Sequence, residues 1–130
     1  MSDRPPQLVL DVTAIAAWTR GSVAVGELLA EIDRDHGSVI VPLPCLIRVA
    51  ATALDEDKQW LDLLVHHPAA VVRPDDPGDW RMLAEAHRIV GSAPVASAAW
   101  HALTHGIDVL TRTAKPYEGL GGDFLLLFDG

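Results

Sequence analysis

Short apolar runs alternate along the chain with stretches whose apolar residues recur at helical spacing. Leu8 to Leu10 reads as a buried strand, and Thr13 to Thr19 as a short helix halted near Gly21. Ser22 is placed to cap a second helix whose Val23, Leu28, Leu29 and Ile32 share one face. Gly37 is the expected left-handed residue closing it. Ser38 to Val41 forms a second strand, and Pro42 and Pro44 lead into a long helical stretch from Cys45 to His66. Asp55-Glu56-Asp57 interrupts the apolar face of that stretch. Acids are favoured at a helix start, so it divides there, with Trp60, Leu61 and Leu64 following. Ala69 to Val72 is a third strand, and Pro74 to Gly78 a loop. Asp79 to Val90 is helical with Trp80, Leu83 and Ile89 as expected core, and Pro94 to His105 is the next helix, ended by Gly106. Val109 to Thr111, a loop over Lys115 to Gly122, and Phe124 to Phe128 complete the pattern.

Strands that alternate with helices predict a three-layer α/β/α sandwich around a mainly parallel sheet of about five strands. No linker, repeat or low-complexity tract interrupts the pattern, so one domain is expected over 1–130. Apolar residues make up 49 % of the chain, yet no apolar run approaches the roughly 18 residues of a membrane span. MSDRPPQ lacks the basic-then-apolar order of a secretory signal. With one cysteine, Cys45, no internal disulfide can form, and a reducing cytoplasm is the expected setting. Eighteen acids against ten bases give a net charge of −8. Stable nucleic-acid binding draws on basic groups that displace counterions, and no basic run exists here.

The chemistry starts at Asp11. It ends the first apolar strand just before a helix, and the carboxyl ends of parallel strands face the crevice where such sheets bind ligands. Four segments then carry a resemblance: LVLDVTAI (Leu8 to Ile15), VPLPCLIRVAA (Val41 to Ala51), WLDLLVHHPAAVVRP (Trp60 to Pro74) and VASAAWHALTHGIDVLTRT (Val95 to Thr113). In this order and spacing the chain resembles the PIN domain, the small α/β fold of many toxin ribonucleases in toxin–antitoxin pairs.

The resemblance implies Asp11 as the first acid of a metal-binding cluster, with Thr13 at the small hydroxyl position beside it. It also implies clustered carboxylates that hold Mg²⁺ or Mn²⁺ and activate water for RNA cleavage, since hard cations take oxygen ligands and lower the pKa of bound water. The positions of the other acids hold Arg48, Val95 and Thr113 instead. A dication about 5 Å from a guanidinium, at an effective dielectric of about 20, is repelled by roughly 6–7 kcal/mol. The expectation is a degenerate site without a metal, in which Arg48 pairs with Asp11 across the crevice. Acids for a rebuilt site would have to come from Asp108, Asp123 or Asp55 to Asp57, because Ala93 to Leu103 and Val41 to Leu54 contain none.

Other constellations carry less. His101 and His105 share a helix face, but Ala102 stands where the zinc-protease pattern has its glutamate. His66-His67 lies at a helix end. Trp60 and Trp80 fit core spacing, while Trp100, among alanines, either fills the volume of the lost carboxylates or marks a subunit contact. The expected function is a PIN-like protein that acts through binding, as a homodimer or with an antitoxin-like or other protein partner. The alternative is a divergent Mg²⁺-dependent ribonuclease using Asp11 and acids from non-standard positions.

Overall fold

The computed structural model describes residues 4–121 and 123–130. The chain runs β1 (Pro6–Leu10), α1 (Val12–Thr19), α2 (Val23–Arg34), β2 (Ser38–Pro42), α3 (Leu43–Thr52), α4 (Asp55–Val65), β3 (Ala70–Arg73), α5 (Trp80–Val90), α6 (Ala93–His105), β4 (Asp108–Thr111) and β5 (Leu125–Leu127). Short 3-10 turns at Pro77–Asp79 and Lys115–Leu120 lie in the connections.

All five strands are parallel, in the order β3-β2-β1-β4-β5. Val9 pairs with Ile40 on one side and Val109 on the other, and Val41 with Val72. Strands covered on both faces need continuous apolar runs, and Leu8, Val9, Leu10, Val39, Ile40, Val41, Val109 and Leu110 are all buried. Right-handed crossovers place the helices between β1 and β3 on one face and α5 and α6 on the other. The result is the expected α/β/α sandwich.

Helix ends follow local chemistry. Asp11, Ser22 and Ser92 cap α1, α2 and α6 through side-chain oxygens that accept backbone N–H groups. Gly91 and Gly106 end α5 and α6 in the left-handed region. After α2 the expectation fails. The left-handed residue is His36, with φ of 57°, whereas Gly37 provides room where the Gln7 side chain crosses the backbone.

The aromatic assignments need correcting too. Trp80 is 62 % exposed, and Ile89 and Trp60 are also exposed. Helix α5 contains no buried residue. It packs against α6 and the 3-10 turn at Lys115–Leu120, outside the main core.

Candidate functional site at the carboxyl edge of the sheet

Strand order changes direction at β1, which has β2 on one side and β4 on the other. Such a switch point opens a crevice at the carboxyl ends of the strands, and Asp11 stands there. The crevice is closed over it: Asp11 is only 4 % exposed. Its Oδ1 accepts the Thr13 hydroxyl at 2.6 Å and the Ala14 N–H at 3.1 Å. Its Oδ2 accepts the Tyr117 hydroxyl at 2.8 Å. A carboxylate offers about four acceptor positions, and three are filled by these donors.

Thr13 extends the network to β4. Its Oγ1 accepts the Arg112 N–H at 2.9 Å and lies 3.3 Å from Thr111 Oγ1. The Thr111 hydroxyl donates to the Thr113 carbonyl at 3.1 Å. Thr113 thus joins through its backbone, while the residue itself is exposed. Tyr117 is fully buried and packs edge-on against Phe124. Burial pushes its phenol well above the ordinary tyrosine range, and the Asp11 charge and hydrogen bond push the same way. The phenol therefore stays protonated and remains a donor.

The expected pair of Arg48 with Asp11 does not form. Arg48 is exposed and makes no ion pair with Asp11, whose oxygens already have donors closer at hand. An exposed guanidinium is screened by water, so the repulsion expected of Arg48 is weakened as well. Val95 is half-buried against the core at the start of α6.

The candidate replacement acids lie elsewhere. Asp108 pairs with Leu8 at the amino end of the sheet, and exposed Asp123 precedes β5 at that same end. Asp55 to Asp57 heads α4, with Asp55 and Glu56 exposed. None of them joins Asp11. Among the described residues, no three His, Cys, Asp or Glu side chains converge to hold a metal ion. The residues present do not fit the divalent ion that the resemblance implies.

A second acid, Asp75, reaches the same edge from the loop after β3. Its Oδ1 accepts the Ser97 hydroxyl at 2.6 Å, and His101 Nε2 lies 3.4 Å away without hydrogen-bond alignment. Burial pulls the His101 imidazole below the ordinary histidine range. Asp75 opposes that shift, and His105 and Arg73 add to it. This is not a nucleophilic triad, because the buried Ser97 hydroxyl donates to the carboxylate rather than to the imidazole. Near both acids, buried Cys45 donates its thiol to the Pro94 carbonyl at 3.3 Å. Burial pushes that thiol far up, with both carboxylates adding to the effect, so it stays protonated and unreactive.

His105 Nδ1 lies 2.9 Å from the His101 carbonyl oxygen, and the two rings stack. His66 and His67 make local contacts at the end of α4. The Trp100 indole N–H donates to Asp79 at 2.9 Å.

No family model and no curated protein matches the chain. Among solved structures, it is similar to a chain in the crystal structure of VapBC2 from Rickettsia felis bound to a DNA fragment from their promoter. The TM-score is 0.74 over 94 % of this chain and 98 % of that one, with 10 % sequence identity.

The fold is PIN-like.

At that identity the likeness is one of architecture, and it extends over almost the whole chain. Within this PIN-like frame, the fold brings Asp11 and Thr13, the two residues the sequence singled out, into one hydrogen-bond network, whose Tyr117 the sequence did not single out, nor Asp75 and Ser97 nearby. Tyr117 lies 106 positions beyond its partner in a segment read as a loop, so no local spacing signals the contact. Ser97 and His101 are four apart on α6, which marks a shared face but not the loop acid that meets it.

Proposed function

We propose that this chain is a PIN-like protein whose metal-dependent nuclease site has been converted into a structural joint, and that it acts through protein binding. The observation that carries this is the state of Asp11. Its carboxylate is buried and receives Thr13, Ala14 and Tyr117, so it secures α1, β4 and the loop after β4 instead of facing a solvated ion. Arg48, Val95 and Thr113 at the partner positions support the same conclusion. The partner is a second copy of the chain, or an antitoxin-like protein of the kind that the resemblance implies. A cytoplasmic setting accords with the single buried thiol, and among the described residues no helix is long and apolar enough to cross a membrane.

The second reading, a divergent Mg²⁺- or Mn²⁺-dependent ribonuclease, draws on Asp11 and Asp75 flanking one edge of the sheet. Titration calorimetry with Mn²⁺, followed by an RNA-cleavage assay against an Asp11→Asn control, separates the two. No saturable heat and no Asp11-dependent cleavage are expected. Stoichiometric Mn²⁺ binding together with cleavage that the control abolishes would overturn the proposal.

A further inference from the structure

At the edge strand β3, the connection to α5 and the last turns of α6 enclose a cavity of about 260 Å³. Charge of both signs lines it. Arg73 supplies a cation from the end of β3, and Asp76 and Asp79 supply two anions from the connection. Trp100, His101 and His105 form the wall contributed by α6.

These groups are set before any ligand arrives. Asp76 Oδ1 accepts the Gly78 N–H at 2.9 Å, and Asp79 Oδ2 accepts the Trp100 indole N–H at 2.9 Å. Each carboxylate is thereby fixed through one oxygen, which leaves the other for a ligand. The neighbouring Asp75 ties the connection to α6 through the Ser97 hydroxyl. Fixed polar groups of this kind spare a ligand the cost of ordering them. Arg73 is exposed and, among the described residues, enters none of the ion pairs, so its guanidinium fork is open to a carboxylate. His101 is 8 % exposed and lines the cavity, yet its Nε2 has no hydrogen-bond partner. Buried polar atoms are almost always paired, and an exception calls for a reason beyond packing.

We propose that this cavity is a binding site for a free α-amino acid, with its carboxylate on Arg73 and its ammonium at Asp76 and Asp79. The mixture of charges decides the class. An anion alone would be drawn to Arg73 and repelled by two carboxylates, and a cation alone would be repelled by Arg73. A zwitterion offsets both signs at once. Size narrows the choice: pockets for drug-sized ligands run to ~300–1,000 Å³, and this one falls below that range, which suits a single amino acid rather than a peptide. The Trp100 N–H is already taken by Asp79, so the indole offers the ligand its face, which attracts cations. Asp11, Thr13 and Tyr117 do not line this cavity, so the site stands apart from the converted nuclease centre.

Thermal-shift measurements on the full chain with each of the standard amino acids, followed by titration calorimetry with the one that raises Tm most, test this. Saturable one-to-one binding is expected. The amide of that amino acid, which lacks the carboxylate, and its N-acetyl form, which lacks the ammonium, should each bind roughly tenfold more weakly or worse. Arg73→Gln and Asp76→Asn should weaken binding by a similar factor. Asparagine keeps an oxygen for the Gly78 N–H, so the second change removes the charge and spares the turn. Arg88→Gln, exposed on α5 outside the cavity, should leave affinity unchanged. Circular dichroism confirms that each variant folds, and the two analogues need no variant at all. The proposal is overturned by a parent that binds no amino acid, by analogues that bind as tightly, or by binding that persists in folded Arg73→Gln and Asp76→Asn. Each of these results leaves the conversion of the nuclease site to Mn²⁺ calorimetry, which reports on it separately.

Discussion

Removing the Tyr117 hydroxyl would leave Asp11 Oδ2 without the donor that meets it, at a place only 4 % open to water. A hydrogen bond to a buried charge contributes about 1.5–3 kcal/mol, so Tyr117→Phe should lower unfolding free energy by about that amount in urea titrations. Asp11→Ala should cost more, because it removes the cap of α1 and also strands the Tyr117 hydroxyl in the core. Arg48→Ala should stay within about 0.5 kcal/mol of the parent monomer, as an exposed residue outside any ion pair does. A large loss from Arg48→Ala would revive the Asp11 pair. Asp11 was legible in the sequence because a strand and a helix meet around it. Its role was not, since a carboxylate's neighbours decide whether it binds a cation or a helix end.

At the scale of elements, the turns carry most of the local instruction. Gly106 has φ of 64°, and a Cβ there would meet nothing, so only backbone strain opposes a side chain. Gly106→Ala should therefore lower stability by about 1 kcal/mol, visible as a fall in Tm. Gly37 has no left-handed φ, and an added Cβ there would come closest to the Gln7 side chain. Every expected strand and helix is present, because period and punctuation are local properties. The split of the Cys45-to-His66 stretch at Asp55 was legible for the same reason. Helix α5 shows the limit: its period marked an apolar face correctly, but not that the main core lies elsewhere.

For the whole molecule, His101 couples stability to pH. Its imidazole titrates below the ordinary value of 6.5 when folded, so between those two values the unfolded chain binds more protons. Its contribution is complete above about pH 6.5 and declines as pH falls toward the lowered folded value. His101→Gln should flatten the pH dependence of unfolding free energy in that window relative to the parent. An unchanged slope would mean that the site tolerates the proton, with Asp75 compensating the burial. Asp75, Ser97 and His101 come from two segments that the sequence places 22 residues or more apart, so this coupling exists only in the folded chain.

Element order and the parallel sheet were determined by the sequence itself, through residue period and turn chemistry. Tertiary structure alone decided that Tyr117 meets Asp11, that Arg48 does not, and that Trp80 faces outward. The reason is physical. Period and capping act over a few residues, whereas the ionic and hydrogen-bonding state of a carboxylate depends on whatever the fold brings within about 3 Å of its oxygens.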